Sequence, residues 1–373
     1  MTCIIRRSIL SCVLLLLAQS ASSQQVLRFQ TPDATYTIDL SASGVAASPL
    51  AAQGAIPLWN GSFVYQGATY PLTMVGSDPS VPGAGASNVP AVIIPLRFKF
   101  GSTVISPAQK ACGDSVSVLA RVRNSPLFTS SVKWEASTTS LGKTQFADAF
   151  QRGNFWNFVS TISPNYHVVL KPITVTPVQT LDVAASDGYA EAGLCAGHSL
   201  GVVSISYWLN AAYGILNALD IHPNTVAIFV AYDVGTTPTL GGNVRPLTGF
   251  GINAGNGQMF VAASYTEPNA FIPSPGGVSF LSSMLASWMD DPLILGNKVP
   301  GWTPIWSGEG CVDWIMAGAP LFGTTFPVVQ NKITYDIQEP AFLSWFARES
   351  PSQAVNGWYS MQSTLKEPPP TCQ

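Results

Sequence analysis

The stretch Ser279–Pro292, with the sequence SFLSSMLASWMDDP, decides the fold. Its large apolar residues recur at helical spacing, and small side chains occupy the opposite face, which predicts a short amphipathic helix. Pro275-Gly276-Gly277 precedes the pattern and Pro292 ends it. Asp290 and Asp291 lie at the C-terminal end, where the helix dipole disfavours negative charge. We therefore expect these two acids to cap loops or to bind a basic side chain.

Composition predicts a folded chain with a large core. The protein has 373 residues, of which 47% are hydrophobic and only 10% are charged, far below the roughly 25% charge of ordinary soluble domains. The net charge is -3, and no basic cluster follows residue 24. Nucleic acid is therefore not an expected partner, because binding it requires Lys and Arg that neutralise phosphates.

Residues 1–23 have the pattern of an export signal. Arg6-Arg7 precede the apolar run Ile9–Leu17, which is too short to span a bilayer, and Ala21-Ser22-Ser23 supply a cleavage site before Gln24. No later run approaches about 20 apolar residues, the length of a membrane-spanning helix. The sequence thus predicts a secreted, periplasmic or extracellular chain with no membrane span after cleavage.

Four cysteines remain after the signal: Cys112, Cys195, Cys311 and Cys372. In an exported chain they predict two disulfides, with three pairings open. A zinc cluster is the alternative, but no pair has the C-x-x-C spacing, so the disulfide interpretation is favoured. No cofactor and no metal site are predicted.

The remaining patterns predict an α+β protein with a β-rich N-terminal region. Residues 24–87 would form that region, ending in the Pro/Gly/Ser-rich linker Ser77–Ser87, and residues 88–373 would form the main domain. Predicted strands are Val26–Phe29, Tyr36–Leu40, a hairpin of Phe63–Tyr65 with Thr69–Val75, Ala91–Phe100, Val168–Val175, Val202–Tyr207, Val226–Val234, Met259–Tyr265 and Ile333–Ile337. Predicted helices are Thr144–Phe158 with Thr144 as its cap, Asn210–Leu219 within a β-α-β unit, and Pro340–Arg348 with Pro340 at its first position.

The motif Gly197-His198-Ser199-Leu200-Gly201 matches the G-x-S-x-G nucleophile elbow of α/β-hydrolases. That elbow needs a strand before the serine and a helix after it, whereas here the strand-like run comes after the motif. A triad histidine should also follow far downstream, and the last histidine is His222. A glycine-flanked turn is the favoured interpretation, with Ser199 kept as an alternative nucleophile.

Other candidate residues also have structural explanations. None of the histidines His167, His198 and His222 lies four residues from another, and His167 alternates with apolar neighbours as a core or edge residue does. Trp302 and Trp306, in the segment GWTPIWSGEG, are the best candidates for an exposed aromatic pair that binds a sugar or a peptide.

Several stretches together resemble a family of secreted, largely uncharacterised bacterial proteins with a zincin-like metallopeptidase core. They are Thr144–Trp156 (TQFADAFQRGNFW), Tyr166–Leu170 (YHVVL), Ala227–Val234 (AIFVAYDV), Ser287–Pro292 (SWMDDP) and Phe342–Ser360 (FLSWFARESPSQAVNGWYS). The resemblance implies a zincin-like fold over most of the mature chain. It also implies that the helix 279–290 stands where the active-site helix of the family stands. An edge-strand position for Met259–Tyr265 beside that helix would support the zincin-like fold.

The same resemblance implies that the catalytic motif is degenerate. The family helix has the pattern S-H-E-x-x-E-W-x-x-D-P, which places Ser283 at the histidine ligand, Met284 at the general base and Ser287 at the second ligand. The downstream family pattern L-E-V-G-D-P-L corresponds to 315–321, where Met316 and Ala319 replace both acids.

Two main functions follow as hypotheses. The favoured one is a catalytically inactive, metallopeptidase-like binding or structural protein, whose cleft beside Ser283 and Ser287, with Trp302 and Trp306, holds an extracellular peptide or glycan. The alternative is a secreted hydrolase, either a serine esterase that uses Ser199 or an atypical metallopeptidase.

Overall fold

The computed structural model describes residues 26–31, 34–39, 56–237, 240, 249–253, 258–271, 275–293, 296–304, 311–370 and 372. The predicted signal at 1–23 lies outside these residues. The strands are β1 (Val26–Thr31), β2 (Ala34–Asp39), β3 (Leu58–Tyr65), β4 (Ala68–Val75), β5 (Ala86–Phe100), β6 (Thr103–Ile105), β7 (Val132–Ala136), β8 (Thr139–Thr144), β9 (His167–Val175), β10 (Gln179–Asp182), β11 (Gly188–Ala192), β12 (Ser199–Ser204), β13 (Val226–Tyr232), β14 (Val234–Thr237), β15 (Gly249–Asn253), β16 (Met259–Tyr265), β17 (Lys298–Trp302), β18 (Val312–Trp314), β19 (Thr325–Gln330) and β20 (Ile333–Gln338). The helices are α1 (Val118–Arg123), α2 (Phe146–Asn154), α3 (Trp156–Thr161), α4 (Ile205–Ala218), α5 (Ser279–Asp290) and α6 (Leu343–Phe346). The α+β class and the β-rich N-terminal part are confirmed.

The main sheet is built around β5. Its neighbours β9, β10 and β13 all run parallel to it, and β13 continues to the parallel strand β16. Every residue of β13 is buried, as expected for a parallel strand covered on both faces. Met259–Tyr265 is not the edge strand that would have supported a zincin-like fold, because β16 pairs on both sides and the antiparallel β15 forms the edge.

The central helix forms as predicted, over Ser279–Asp290. It contacts β15 and β16 of the main sheet, the hairpin strand β4, β20 and the helix α2. Its large residues Leu285 and Met289 are fully buried. Three of the small residues on its other face, Ser282, Ser283 and Ala286, are buried as well, which the amphipathic pattern alone does not predict.

The predicted β-α-β unit is present, but its second strand is divided. Asp233 has a positive φ of 46° and separates β13 from β14, so β13 joins the main sheet while β14 pairs in parallel with β12. The helix α4 begins at Ile205 and not at Asn210, because the Ser204 side chain accepts a hydrogen bond from the Tyr207 N–H and caps it.

Two other predicted helices differ from the observed ones. The segment Thr144–Phe158 forms two helices, α2 and α3, which meet at Phe155. Thr144 is not the cap, because it ends β8 and donates its hydroxyl to Asp148 Oδ2 over 2.6 Å. Of the predicted helix Pro340–Arg348, only α6 (Leu343–Phe346) is α-helical, since Ala341 pairs with Ser360 in an isolated bridge.

The N-terminal hairpin and the disulfides complete the described architecture. β3 and β4 form the predicted hairpin, and Met74 and Val75 of β4 are fully buried in the same core as β5. The predicted disulfides are confirmed, with the pairing Cys112–Cys195 and Cys311–Cys372. None of the helices in the described part of the chain is long and apolar enough to cross a membrane.

Candidate functional site

Ser283 and Met284 of the central helix face packed protein and not an open cleft. Ser283 is only 4% exposed and Met284 only 7%, and the Ser287 hydroxyl donates to the Ser283 carbonyl over 2.9 Å. Gly318 lies directly against Ser283, where an added Cβ would stand 1.9 Å from the serine Oγ. The space at this position is filled by packed chain, so the residues present do not fit a zinc ion and the predicted cleft beside Ser283 is corrected.

The predicted aromatic pair is also corrected. Trp302 is fully buried, with its ring 5.4 Å from those of Trp345 and Phe346 and 6.0 Å from that of Trp314. Its indole N–H donates to the Trp314 carbonyl. Trp302 is therefore a core residue, as aromatic residues in a chain of low charge often are, and Trp306 lies outside the described residues.

Ser199 does not lie on a nucleophile elbow. The residue begins β12, and the preceding strand β11 pairs with β12 as an antiparallel hairpin, so a strand follows the serine where the elbow requires a helix. His198 directs its Nδ1 to the Tyr232 hydroxyl at 2.8 Å. No histidine in the described ranges hydrogen-bonds to Ser199, and the geometry gives the esterase hypothesis no support.

Asp290 is compensated by amides and not by a basic side chain. The carboxylate is fully buried, and its Oδ1 accepts from Gln151 Nε2 at 3.1 Å and Asn154 Nδ2 at 2.9 Å. Oδ2 has no hydrogen-bond partner among the described residues. Burial raises the pKa of Asp290 well above its usual range, and the two amides offset only part of that effect. Asp291 caps the following loop, as predicted, by accepting from the Asn297 N–H.

The Asp290 network extends to a surface groove. Asn154 donates to Asp290 and, through its own Oδ1, accepts a 2.8 Å hydrogen bond from the Leu343 N–H. One amide side chain thereby ties α5 and α2 to the start of α6. Both Asn154 and Leu343 lie in the wall of the groove, so the central helix positions this site without entering it.

The groove has a volume of about 280 Å³ and lies between the N-terminal hairpin, the α2–α3 junction and the segment that begins with α6. Its residues fall into three groups, namely aromatic rings, acids and small or amide side chains. They are Trp59, Gly61, Ser62, Phe63, Leu72, Asp78, Pro79, Ser80, Asn154, Phe155, Phe158, Leu343, Ser344, Glu349 and Gln353.

The aromatic wall follows from strand alternation. Trp59, Gly61 and Phe63 are two residues apart on β3 and share one face of the hairpin. An added Cβ at Gly61 would lie 2.7 Å from Cζ3 of Trp59, so the absence of a side chain there gives the indole its place. The Trp59 ring also meets Phe155 edge-on at 5.5 Å.

The polar groups of the groove are hydrogen-bond acceptors held in place by serines. Asp78 Oδ1 accepts from the Ser80 N–H at 2.9 Å and the Ser80 hydroxyl at 2.6 Å. Glu349 Oε2 accepts from the Ser344 hydroxyl at 2.6 Å. The second oxygen of each carboxylate makes no hydrogen bond within the described part of the chain, and no Lys, Arg or His from that part lines the groove.

Sequence reasoning missed this groove. The predicted aromatic pair lies in the tryptophan-rich C-terminal third, whereas two of the aromatic rings of the groove come from the N-terminal hairpin. The signal was Trp59-x-Gly61-x-Phe63, two aromatic residues on one strand face with a glycine between them. The chain matches no family model, no curated protein and no solved structure, so function is inferred from the groove residues themselves.

Proposed function

We propose that this chain is a secreted binding protein without peptidase activity, and that the groove holds a neutral glycan. The observation that supports this proposal is the combination of aromatic rings with carboxylate and amide groups in a groove whose described lining has no cationic side chain. An anionic ligand would lack a counter-charge there, since the charged groups of that lining are Asp78 and Glu349.

A saccharide uses both chemical features of the groove. The rings of Trp59 and Phe63 line the groove and offer apolar surface to the C–H side of a sugar ring. The carboxylate oxygens of Asp78 and Glu349 accept hydrogen bonds from sugar hydroxyls, and the exposed amide of Gln353 can donate or accept. A sugar ring presents several hydroxyl donors beside an apolar C–H face, which matches both features of the groove, so the glycan is the proposed occupant.

The proposal that the chain lacks peptidase activity rests on the residues found at the catalytic positions that the resemblance implies. Ser283, Met284 and Ser287 cannot supply two metal ligands and a general base. The segment 315–321, which the resemblance aligns with a second acidic motif, packs through Gly318 on Ser283. The contact between the two degenerate motifs supports a zincin-like core in which packing has replaced the metal site.

Export is part of the same proposal. The two disulfides fit an oxidising compartment outside the cytoplasm. They agree with the signal pattern at residues 1–23.

A glycan array probed with the full mature chain tests the proposal, followed by calorimetry with the best glycan. We expect single-site binding that weakens at least about tenfold, equivalent to 1.4 kcal/mol, in Trp59→Ala. Val64→Ala is the matched control, because Val64 lies on the same strand, faces away from the groove and is 68% exposed. Unchanged glycan affinity in Trp59→Ala would overturn the assignment of the groove as the binding site. Binding to a peptide array and to no glycan would overturn the proposed ligand class. Cleavage of the bound glycan would favour the hydrolase alternative.

A further inference from the structure

A second cluster of reactive side chains lies away from the groove. Sγ of Cys112, Sγ of Cys195 and a ring nitrogen of His198 all lie within 4.8 Å of one another. Cys195 and His198 belong to the turn between β11 and β12, in which the His198 N–H donates to the Cys195 carbonyl at 3.1 Å. All three residues are partly exposed, so small solutes reach them.

A hydrogen bond from the core holds the His198 ring in one orientation. The Tyr232 hydroxyl donates to Glu267 Oε1 at 2.8 Å, so it accepts at its oxygen from His198 Nδ1, also at 2.8 Å. Because Nδ1 is engaged by Tyr232, Nε2 is the ring nitrogen left for a metal. Metal-binding histidines are held in this way, with the N–H of the non-ligating nitrogen donated to a fixed acceptor.

The acceptor chain is itself anchored in the fold. Glu267 is 6% exposed, and the same Oε1 also accepts from the Cys112 N–H at 2.7 Å. Tyr232 ends β13 and Glu267 follows β16, so both lie at the carboxyl ends of parallel strands. Open sheets with parallel strands bind ligands at that end. One carboxylate thereby orients both the histidine and the backbone of the first cysteine.

We propose that Cys112, Cys195 and His198 form a redox-gated site for one zinc ion, which is created when the disulfide between the two cysteines is reduced. Two thiolates and an imidazole are a common zinc ligand set, and zinc takes a fourth ligand, which here would be water. His198, oriented by Tyr232, would supply Nε2. The spacing Cys195-x-x-His198 is the sequence signal for this site, which a search for C-x-x-C pairs does not detect.

The gating step is a two-electron exchange with an external dithiol. The dithiol gives two electrons and two protons to the Cys112–Cys195 bond, which opens to two thiols, and the dithiol itself becomes a disulfide. Zinc binding then releases the two thiol protons, because the thiolate is the ligand. Oxidation and metal binding exclude each other, since both use the same sulfur atoms.

The second disulfide is an internal control. Cys311 and Cys372 are bonded as well, but no His, Asp or Glu among the described residues completes a three-ligand group with them. Reduction opens both disulfides, whereas only the first has a third ligand positioned beside it in the described part of the chain.

The test titrates Co²⁺ and Zn²⁺ into the full mature chain, oxidised or reduced, without oxygen. The reduced chain should bind one equivalent and show the absorption of a Co²⁺–thiolate bond, and the oxidised chain should bind none at this site. The variant Cys311→Ser/Cys372→Ser should bind like the wild type, and Cys112→Ser/Cys195→Ser should not bind. No Co²⁺–thiolate signal after reduction, or a signal that survives in Cys112→Ser/Cys195→Ser, would overturn the proposal.

Two further variants separate ligation from folding, because both retain the four cysteines. His198→Ala should unfold like the wild type when oxidised, yet lose zinc binding when reduced. Tyr232→Phe removes the acceptor for His198 and should weaken zinc binding by about 10- to 100-fold, the usual effect of losing a partner that orients a ligand. Wild-type zinc affinity in both variants would exclude His198 as a ligand and overturn the site.

Discussion

Replacing Asp290 by Asn should change how the stability of this protein depends on pH. Burial raises the pKa of Asp290, so the folded state keeps a proton on this carboxyl at pH values where the unfolded state has lost it. The free energy of unfolding should therefore fall as pH rises above about 4, by about 1.4 kcal/mol per pH unit for one proton, until the pH passes the folded-state pKa.

The amide that replaces the carboxyl in Asp290→Asn cannot titrate, and its Oδ1 can keep both hydrogen bonds, from Gln151 and Asn154. Its NH₂ group takes the place of the unpartnered Oδ2 and is itself left without an acceptor. This unsatisfied donor lowers the free energy of unfolding by about 1–3 kcal/mol at every pH. The variant should thus gain stability relative to the wild type as pH rises from about 4 towards 7, whatever its stability at the acidic end of that range.

Urea unfolding of both proteins across that pH range, with the disulfides intact, measures the effect. Asp220→Asn is the matched control, because Asp220 is exposed and its φ of 49° suits an asparagine, and its curve should follow that of the wild type. Parallel stability curves for Asp290→Asn and the wild type would refute the reasoning, since they would mean that Asp290 is ionised equally in the folded and unfolded states.

Three other substitutions test separate parts of the structure. Gly318→Ala places a Cβ 1.9 Å from the Ser283 Oγ and should destabilise the chain by about 1–3 kcal/mol in chemical unfolding, partly relieved by Ser283→Gly; an unchanged midpoint would mean that the two segments are not packed together. Gly61→Ala should displace the Trp59 ring and weaken glycan binding about tenfold with little loss of stability, and unchanged affinity in calorimetry would contradict the assigned wall of the groove. Ser199→Ala should change neither the free energy of unfolding nor any esterase activity measured for the wild type. A fluorophosphonate probe should not label the wild type, and labelling that is lost in the variant would restore the hydrolase alternative.

The fold could be predicted where local pattern and burial agree. β13 is a continuous apolar run, the 279–290 segment has helical periodicity, and the β3–β4 hairpin has a turn at Gln66-Gly67. Element ends were missed where tertiary contacts set them. Thr144 is a plausible cap by residue type, yet its hydroxyl bonds to Asp148 while its backbone ends a strand.

The candidate site could not be predicted because its residues are distant in sequence. Trp59 and Phe155 meet across the core, and Glu349 joins them from a third segment. Trp302 was expected to be exposed because its sequence resembles a loop. That local pattern does not show that aromatic rings from other segments surround it in the folded chain. The sequence shows which side chains could bind a ligand, but it does not show which of them are buried in the folded chain.

The most direct test of the central claim is the indole N–H resonance of Trp59 during a glycan titration. The Trp59 Nε1–H has no hydrogen-bond partner among the described residues, and the chain has only ten tryptophans, so its signal can be assigned with Trp59→Phe. The glycan selected on the array should shift this resonance in a saturable way, while that of the buried Trp302 stays in place. A glycan that saturates the protein and leaves the Trp59 resonance unmoved would contradict the assignment of the groove as the binding site.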